Sequence, residues 1–599
     1  MLQKKQRASN TCSPQVDQAL SWRSTYATLT QEVKPYWALL AGGFILALAS
    51  SAIEGGFALM LKPLVDQGVV ERQSNWLYWM PVLLSGMIIF RGICFFFSQY
   101  LISKVARQIV LNLRQKLFAH SVQLDYREHK RLTSGEVTST MIYTVEQLAN
   151  TVSSCFLTII GEGCLVVALI GAMFYVNWQL SSILIISIPF IAILVQLTSK
   201  RIRSISQKTL GNIEKMAHHV NQVFEGQKIV RVHNAQSRET GYFSQLLIDN
   251  RKQEIKSVMA NAYSSTLIQV IIVIPFSFAL WLLTYLPTIT VGGFVTVIVA
   301  LLRVLQPLKR LSNVNAEIQK GLVAAKKIYD TLNLPIEASE QHKKLAEYGV
   351  IRFENVNYSY GGNQTIHQLS LTIQPGQLLG IAGPSGGGKS TMITLLLQLL
   401  RPESGQITLN DCPIDQYQLA SYRDLFAYVS QDTVLFSGSL YENIAYSSES
   451  IDYERVKKAA KLACASDFIE RLSDGYNTQI INGAEFSGGE KQRISIARAL
   501  YKVNAPIIIL DEATSGLDVA TEKRVIENLK DPFVQDKTII VIAHRLAAIE
   551  ICHQILMMDK GEIVESGQHS TLLKSQGLYA KLHQLQYSQT DTTSEDPAI

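Results

Sequence analysis

The chain has 599 residues, more than the roughly 100–200 of one ordinary soluble domain, so several domains are expected. Its formal net charge of +6 is small for this length and gives no reason to expect a nucleic-acid partner. The 7 cysteines are scattered without a Cys-x-x-Cys pair, which argues against a disulfide framework or a zinc-binding cluster.

The amino-terminal region is polar and then gives way to long apolar runs. Residues 1–34 lack the apolar core of a cleaved signal peptide, so we expect a cytoplasmic segment there. Six apolar segments follow, at about 37–61, 78–101, 152–176, 179–198, 264–287 and 290–306. Only Val176-Asn177-Trp178 separates the third from the fourth, which predicts a tight hairpin there. A bilayer core about 30 Å thick needs roughly 20 apolar residues in a helix, so these segments predict six membrane-spanning helices. Buried core helices of a large soluble protein are the alternative.

Basic residues are distributed unevenly between the connections of these segments. The connections between spans two and three and between spans four and five are rich in Lys and Arg, whereas the opposite side has little more than Lys62 and Arg72. The positive-inside tendency places the basic connections, and with them the carboxyl-terminal half, in the cytoplasm. The length of the two connections predicts helical extensions with tips near 125–128 and 210–213, and solvated loops are the alternative.

Ionisable residues inside membrane spans are costly and are therefore candidates for function. Arg91, Arg303 and Lys309 are predicted to face a shared cavity and to hold an anionic group. The alternative for these cations is pairing with Glu54 or Glu162, or extension of the side chain to the membrane interface.

A phosphate-binding loop opens the second half of the chain. Its residues, followed by Thr391, are Gly383, Pro384, Ser385, Gly386, Gly387, Gly388, Lys389 and Ser390. A short apolar strand precedes this loop and a helix follows it, as the GxxxxGK[ST] motif requires. Backbone N–H groups and the helix N-terminus would hold the phosphates of ATP. Lys389 would reach the β- and γ-phosphates, and Ser390 would bind Mg²⁺.

Polar residues at the ends of three later strands complete a predicted hydrolytic site. Asp511 and Glu512 follow the apolar run 507–510, Gln431 ends the run 427–430, and His544 follows the run 539–542. Asp511 and Gln431 are predicted to bind Mg²⁺. Glu512 is predicted to polarise the attacking water, with His544 directed at the γ-phosphate.

Residues 345–585 resemble the ATP-binding-cassette (ABC) proteins. The resemblance is carried by Ser487-Gly488-Gly489-Glu490-Lys491-Gln492-Arg493 as the signature, with Tyr360 stacking on adenine, Gln431 as Q-loop, Asp518 in the D-loop and His544 as H-loop. It implies that Ser487, Gly488, Gly489 and Glu490 of one subunit close over the ATP of the other, and hence a homodimer. Phe486, Glu490 and Gly516 depart from the commoner residues of these motifs.

The membrane half is similar to ABC exporters of the type IV fold, and more narrowly to lipid A flippases of the MsbA type. Leu61-Lys62-Pro63-Leu64-Val65-Asp66 and residues 89–93 and 307–316 carry this similarity. It implies that Arg91 and Lys309 contact lipid phosphates. Gly161 and Gln306 stand where the group has arginine, and Arg303 lies one helical turn before Gln306.

The sequence thus predicts a multidomain membrane protein, with a six-helix all-α transmembrane domain fused to an α/β P-loop domain. The expected boundaries are 1–34, a transmembrane domain at 35–330, a linker at 331–347, the ATP-binding domain at 348–585 and a disordered tail at 586–599. The expected activity is ATP-driven flipping of a lipid A-like amphiphile across the bacterial inner membrane. A multidrug or hydrophobic-peptide exporter and a non-transporting ATP-gated regulator are the alternatives.

Overall fold

A computed structural model describes residues 33–71, 74–132, 134–185, 187–283, 290–337, 343–344, 347–361, 363–481, 486–543 and 545–591. The chain divides into two compact units, one comprising Met1–Leu124 with Glu128–Pro335 and the other comprising Asp125–Arg127 with Ile336–Ile599. The division after Pro335 falls inside the predicted linker 331–347. The predicted amino-terminal segment 1–34 lies outside the described residues except at its last two positions.

The first unit is helical. Its α-helices are α1 (Trp37–Pro63), α2 (Ser74–Val122), α3 (Tyr126–Arg131, which starts in the second unit), α4 (Ser134–Ser139), α5 (Val145–Leu157), α6 (Gly163–Val176), α7 (Trp178–Ile185), α8 (Ser187–Glu225), α9 (Gln227–Val232), α10 (Gln236–Leu283) and α11 (Val291–Leu332). A 3-10 turn at Lys34–Tyr36 precedes α1, and π-helical turns occupy Leu64–Val70, Thr140–Thr144 and Thr158–Glu162. The turn Leu64–Val70 follows Pro63, whose missing N–H interrupts the regular hydrogen-bond ladder.

Four helical segments in the described residues are long and apolar enough to cross a membrane. They are Lys34–Val70, Tyr78–Val122, Gly135–Val176 and Val291–Leu311. The other two predicted spans, 179–198 and 264–287, fall largely on α7, α8 and α10, with 284–289 outside the described residues. Their membrane crossing therefore stays a prediction, as does the number six.

Two predictions concerned the connections between helices, and the structure agrees with one and differs from the other. The hairpin predicted at Val176-Asn177-Trp178 is confirmed, because Asn177 is extended between α6 and α7. Its side-chain oxygen accepts the Leu180 N–H at 3.0 Å. The tip predicted at 210–213 is wrong, since these residues lie within α8 and the chain reverses only at 226–235. A single glycine, Gly211, is tolerated inside a long helix whose neighbours favour helix.

Polar contacts between distant residues fix the helices of the first unit against one another. The Ser98 hydroxyl donates to the Gly43 carbonyl at 2.8 Å, where glycine lets α1 and α2 approach closely. The Asp66 carboxylate accepts the Gly292 N–H at 2.7 Å, which satisfies an amide in the first turn of α11. The N-cap of that helix is Thr290, whose hydroxyl accepts the Gly293 N–H.

The described residues of the second unit form three sheets. Its strands are β1 (Ile351–Tyr360), β2 (Asn363–Ile373), β3 (Leu378–Ala382), β4 (Ser404–Leu409), β5 (Cys412–Pro413), β6 (Phe426–Val429), β7 (Gly438–Ser439), β8 (Gln479–Ile480), β9 (Ile507–Asp511), β10 (Thr538–Ile542), β11 (Gln554–Asp559) and β12 (Glu562–Gly567). The main sheet has the order β12-β11-β3-β10-β9-β6, and a four-stranded sheet has the order β2-β1-β4-β5. All pairs of the main sheet are parallel except β11 with β12.

The apolar runs of the main sheet are continuous because both of its faces are buried. Alternate residues of each strand belong to different hydrophobic clusters, as the two-residue period of a strand requires. On β10, Ile539 and Val541 join one cluster, whereas Ile540 and Ile542 join the other. This burial fixes the strand register and places all carboxyl ends of the parallel strands along one edge.

Helices pack around this sheet, and the last of them ends at Asp591, the final described residue. They are α12 (Lys389–Leu396), α13 (Leu419–Arg423), α14 (Leu440–Ile444), α15 (Tyr453–Leu462), α16 (Ser466–Ile469), α17 (Gly488–Tyr501), α18 (Val519–Asn528), α19 (His569–Lys574) and α20 (Leu578–Asp591). Residues 586–591, predicted to begin a disordered tail, instead belong to α20. The polar residues there extend a helix that already begins at Leu578. Residues 592–599 lie outside the described residues.

Candidate nucleotide site and membrane cavity

The predicted phosphate-binding loop connects β3 to α12. Gly383, Gly386 and Gly388 have φ of +147°, +81° and +96°, conformations that other L-residues rarely adopt. At Gly383 a Cβ would also collide with the Met558 carbonyl oxygen of β11. At Gly386 a Cβ would meet nothing within 4 Å, so the positive φ alone is the reason for glycine there. The loop conformation fits an anion held by backbone amides before a helix N-terminus.

Lys389 is the first residue of α12 and is largely buried. Its ammonium group donates to the Gly383 and Pro384 carbonyls at 2.8 and 3.0 Å, so the side chain folds back along the loop. Burial lowers the pKa of Lys389, while the nearby carboxylates of Glu512 and Asp511 act to raise it. The lysine, the loop and these two carboxylates therefore lie in one neighbourhood, as predicted from motifs more than a hundred residues apart.

The parallel strands β9 and β6 bring Asp511, Glu512 and Gln431 together. Gln431 donates its side-chain N–H to Glu512 Oε2 at 2.7 Å. Tyr428 donates its hydroxyl to Asp511 Oδ2 at 3.2 Å, and burial raises the pKa of this tyrosine. Tyr428 was not a candidate from the sequence. The signal available was its position in β6, a strand that ends at the predicted Gln431.

Glu512 has an unusual backbone conformation. Its φ is +51°, and its side chain and backbone together are only 9% exposed. A non-glycine residue in the left-handed region costs of order 1–3 kcal/mol, and such strain is concentrated at functional sites. The Glu512 N–H donates to the Ile542 carbonyl at 3.0 Å, so the adjacent strand β10 holds this conformation.

The signature segment forms a helix cap. The Ser487 hydroxyl accepts the Glu490 N–H at 3.3 Å, and the Glu490 carboxylate accepts the Ser487 N–H at 2.8 Å. This reciprocal pair is a capping box at the start of α17, which explains why glutamate suits position 490. Gln492 accepts the Gly516 N–H at 2.9 Å and donates to the Ser515 hydroxyl at 3.2 Å. A Cβ on Gly516 would lie 2.8 Å from Gln492 Oε1, so glycine lets this contact form.

A second network fixes the segments on either side of the predicted D-loop. The carboxylate of Glu522, which is only 5% exposed, accepts the Thr514 hydroxyl at 2.6 Å and an Arg545 N–H at 3.1 Å. Arg545 also donates to the Leu517 carbonyl at 3.3 Å. Asp518 caps α18 by accepting the Thr521 N–H at 2.9 Å, and bonding to Thr521 lowers its pKa. Sequence inspection missed Glu522 and Arg545, because neither belongs to a phosphate-binding motif.

Three further predicted site residues, Tyr360, Thr391 and His544, have different outcomes. Tyr360, the last residue of β1, packs edge-on against Tyr358 with ring centroids 4.9 Å apart. Thr391, in the first turn of α12, hydrogen-bonds to Tyr360, which links the predicted adenine platform to the loop. His544 lies outside the described residues, which resume at Arg545.

The first unit contains a cavity of about 940 Å³ lined by residues of α1, α2, α5, the π-turn Thr158–Glu162, α6 and α11. Arg91 and Arg303 both line it. Arg91 lies 2.5 Å from one oxygen of Glu54, and Arg303 lies 3.7 Å from the other. The sequence left open whether Arg91 faces a cavity or pairs with a glutamate. It does both, because it lines the cavity and is paired with Glu54. Lys309 is exposed on α11 and is not among the lining residues.

The cavity also contains Gly161 and Gln306, the two positions at which the similar flippases have arginine. Arg310 pairs with Glu162 inside it. Gly161 lies in the π-helical turn, where its carbonyl accepts the Ser51 hydroxyl at 3.0 Å, and Gln306 also lines the cavity. Because each described cation of the lining has an acidic neighbour, the net positive charge there is smaller than the sequence suggests.

The loop, the buried lysine and the strand-end carboxylates define a P-loop nucleotide-binding unit joined to a helical membrane unit. Residues 40–308 match the family described as ABC transporter transmembrane region, and residues 366–515 match the family described as ABC transporter. The chain therefore belongs to the ABC transporter family, and its second unit is an ATPase domain coupled to transport. The predicted fold class, a type IV exporter with an α/β P-loop domain, is confirmed.

Similar proteins cover nearly the whole chain. The chain is 36% identical over 572 residues to the ATP-dependent lipid A-core flippase of Coxiella burnetii, covering 94% of this chain and 97% of that protein. It is 36% identical over 575 residues to the flippase of the same name from Legionella pneumophila subsp. pneumophila, with the same coverage. The solved structure of a bacterial Atm1-family ABC exporter with ATP bound superposes with a TM-score of 0.73 at 25% identity, covering 96% of this chain and all of that one.

Proposed function

We propose that the protein couples ATP hydrolysis to the movement of an anionic, lipid A-like amphiphile from the inner to the outer leaflet of the bacterial inner membrane. The relatives named lipid A-core flippases support the class of cargo. The observation that carries the proposal is the cavity with Arg91, Arg303 and Arg310 in its lining, since cations that face a cavity of an apolar unit fit a phosphorylated amphiphile.

In the proposed ATPase site, each chain residue has a defined task. The amides of residues 383–390 and the Lys389 ammonium bind the phosphates of ATP. Ser390, Gln431 and Asp511 offer the oxygen ligands that Mg²⁺ prefers, and Mg²⁺ would neutralise phosphate charge there. Glu512, positioned by its hydrogen bond from Gln431, accepts a proton from the attacking water.

The proposed active form is a homodimer. Ser487 is the N-cap of α17, which begins with Gly488 and Gly489, and a helix N-terminus binds anions well. With the partner's signature over the P-loop, two ATP molecules join two ATPase domains, and hydrolysis separates them. The network of Gln492 and Gly516 supports this role, because it ties the signature helix to the D-loop.

The test is the ATPase rate of the full chain in nanodiscs, titrated with lipid A, with dephosphorylated lipid A and with a neutral lipid. We expect lipid A to stimulate the rate selectively. Arg91→Ala and Arg303→Ala should weaken binding of the phosphorylated lipid more than binding of an uncharged amphiphile. An exposed arginine of the amino-terminal half, Arg131→Ala, is the control. Equal losses for both ligands would refute recognition of phosphate by these cations.

A multidrug or hydrophobic-peptide exporter is the second candidate. The observation in its favour is that Glu54 and Glu162 offset the cations of the cavity, which suits neutral or cationic cargo. In the same nanodisc assay, stimulation by a cationic drug but not by lipid A would select this function. Arg91 would then serve mainly as the structural partner of Glu54.

A further inference from the structure

Two histidines and a glutamate converge in the second unit, outside the nucleotide-binding motifs. Glu550 follows the 3-10 turn Leu546–Ala548, His569 is the first residue of α19, and His583 lies on α20. One potential ligand atom from each lies within 4.8 Å of the others. All three residues are half-buried, so the cluster is shielded without being closed to ions.

The geometry of the cluster suits a metal better than it suits a simple ion pair. His583 Nε2 lies 3.4 Å from Glu550 Oε1, and the rings of His569 and His583 have centroids 5.6 Å apart. Neutral imidazole nitrogens and a carboxylate oxygen are the ligands that Zn²⁺ and similar ions accept, at about 2.0–2.2 Å. Three such ligands leave a fourth position for water. Small side-chain shifts toward a common centre would supply these bond lengths.

An outer hydrogen bond already orients one of the three ligands. His569 Nδ1 lies 2.6 Å from the hydroxyl oxygen of Tyr579, a fully buried side chain. If Nδ1–H donates to that oxygen, Nε2 carries the lone pair that binds a metal. Metal-binding histidines commonly have such an outer partner.

Hydrogen bonds from side chains also fix the backbone around the cluster. The Glu565 carboxylate of β12 accepts the N–H groups of Leu578 and Tyr579, which begin α20. Gln586 on that helix accepts the Leu546 N–H at 2.9 Å. The three segments that carry the ligands are therefore held together before any metal binds, which lowers the entropic cost of binding.

We propose that Glu550, His569 and His583 form a binding site for a divalent transition-metal ion of the Zn²⁺ type. The ion connects α20 and the start of α19 to the turn that follows residue 545. Binding to the folded chain alone stabilises it by mass action. The site is chemically distinct from the Mg²⁺ position proposed at the nucleotide, because its nitrogen ligands disfavour Mg²⁺.

The experiment uses the full chain in nanodiscs, purified with a tag that contains no histidine and stripped with a chelator. Zn²⁺ is titrated by calorimetry, and bound metal is counted by elemental analysis. We expect the parent protein to bind one Zn²⁺ per chain. His583→Ala and Glu550→Gln should each abolish this binding or weaken its affinity by at least about tenfold. Tyr579→Phe should weaken it by about 10- to 100-fold, as other outer-partner changes do. His129→Ala, an exposed histidine on α3, is the matched control and should bind as the parent does.

Thermal unfolding supplies a second measurement that does not depend on ATPase activity. Zn²⁺ should raise the melting temperature of the parent and of the His129→Ala control, but not that of His583→Ala. Retained ATP binding would show that each variant is folded. Absence of stoichiometric Zn²⁺, or equal affinity in the parent, His583→Ala and Glu550→Gln, would overturn the proposal and leave a hydrogen-bonded cluster.

Discussion

Replacing Glu512 by glutamine isolates its proposed role as the general base. The side chain keeps its size, and its amide oxygen can still accept the Gln431 N–H that now lies 2.7 Å from Glu512 Oε2. The backbone at φ +51° remains held by the Ile542 carbonyl. The substitution therefore removes the basic oxygen while leaving the packing of a residue that is only 9% exposed.

The expected loss follows from what a positioned base contributes. General-base catalysis typically supplies about 10²- to 10⁴-fold in rate. At about 1.36 kcal/mol per tenfold change, this is about 2.7 to 5.4 kcal/mol of transition-state stabilisation. ATP binding should persist, because the phosphate-binding loop and Lys389 are unchanged. A nucleotide-bound dimer should accumulate, since release requires hydrolysis.

The assay compares the steady-state ATPase rate with the affinity for a fluorescent ATP analogue in nanodiscs. Glu354→Gln is the matched control, because Glu354 is an exposed carboxylate on β1 and should keep the parental rate. Gln431→Ala should reduce the rate by a smaller factor, since it removes the hydrogen bond that positions Glu512. A Glu512→Gln protein that hydrolyses ATP at the parental rate would refute the assignment of the base.

Three other properties of the structure give measurable expectations. Gly292→Ala should lower the melting temperature and reduce the free energy of unfolding by about 1–3 kcal/mol, because the new Cβ would collide with the Lys62 carbonyl. Gly171→Ala is the control, since a Cβ there would have no neighbour within 4 Å. Burial and nearby basic groups lower the pKa of Lys537 to about 8. The unfolded chain then binds this proton more tightly, so stability should rise between about pH 8 and 10, and Lys537→Met should flatten that rise in melting curves. Glu490→Gln should lower the KM for ATP by about 1.5- to 5-fold, because it removes a negative charge from the N-terminus of α17, where the phosphates of ATP are proposed to bind. An unchanged or higher KM would contradict that reasoning.

The nucleotide site was largely predictable because its chemistry is carried by short contiguous segments. A phosphate is bound by successive backbone amides, so the spacing of Gly383 through Ser390 implies the loop and the helix after it. Burial of parallel strands on both faces makes β9 and β10 readable as apolar runs, and Asp511 and Glu512 then fall at their carboxyl edge. Hydropathy similarly locates the long helices, since bilayer thickness sets their length.

The pairing of side chains was decided only by the tertiary structure. Local spacing does not reveal that Glu54 lies between Arg91 and Arg303, or that Tyr428 reaches Asp511, because each contact joins separate helices or strands. The erroneous tip at 210–213 has a related cause, since one glycine weakens a helix locally but its neighbours decide whether the helix continues. The two units, the long apolar helices and the phosphate-binding chemistry were therefore readable from the order of residues alone. The tertiary structure decided which charges offset one another, because electrostatic interactions depend on distances in space.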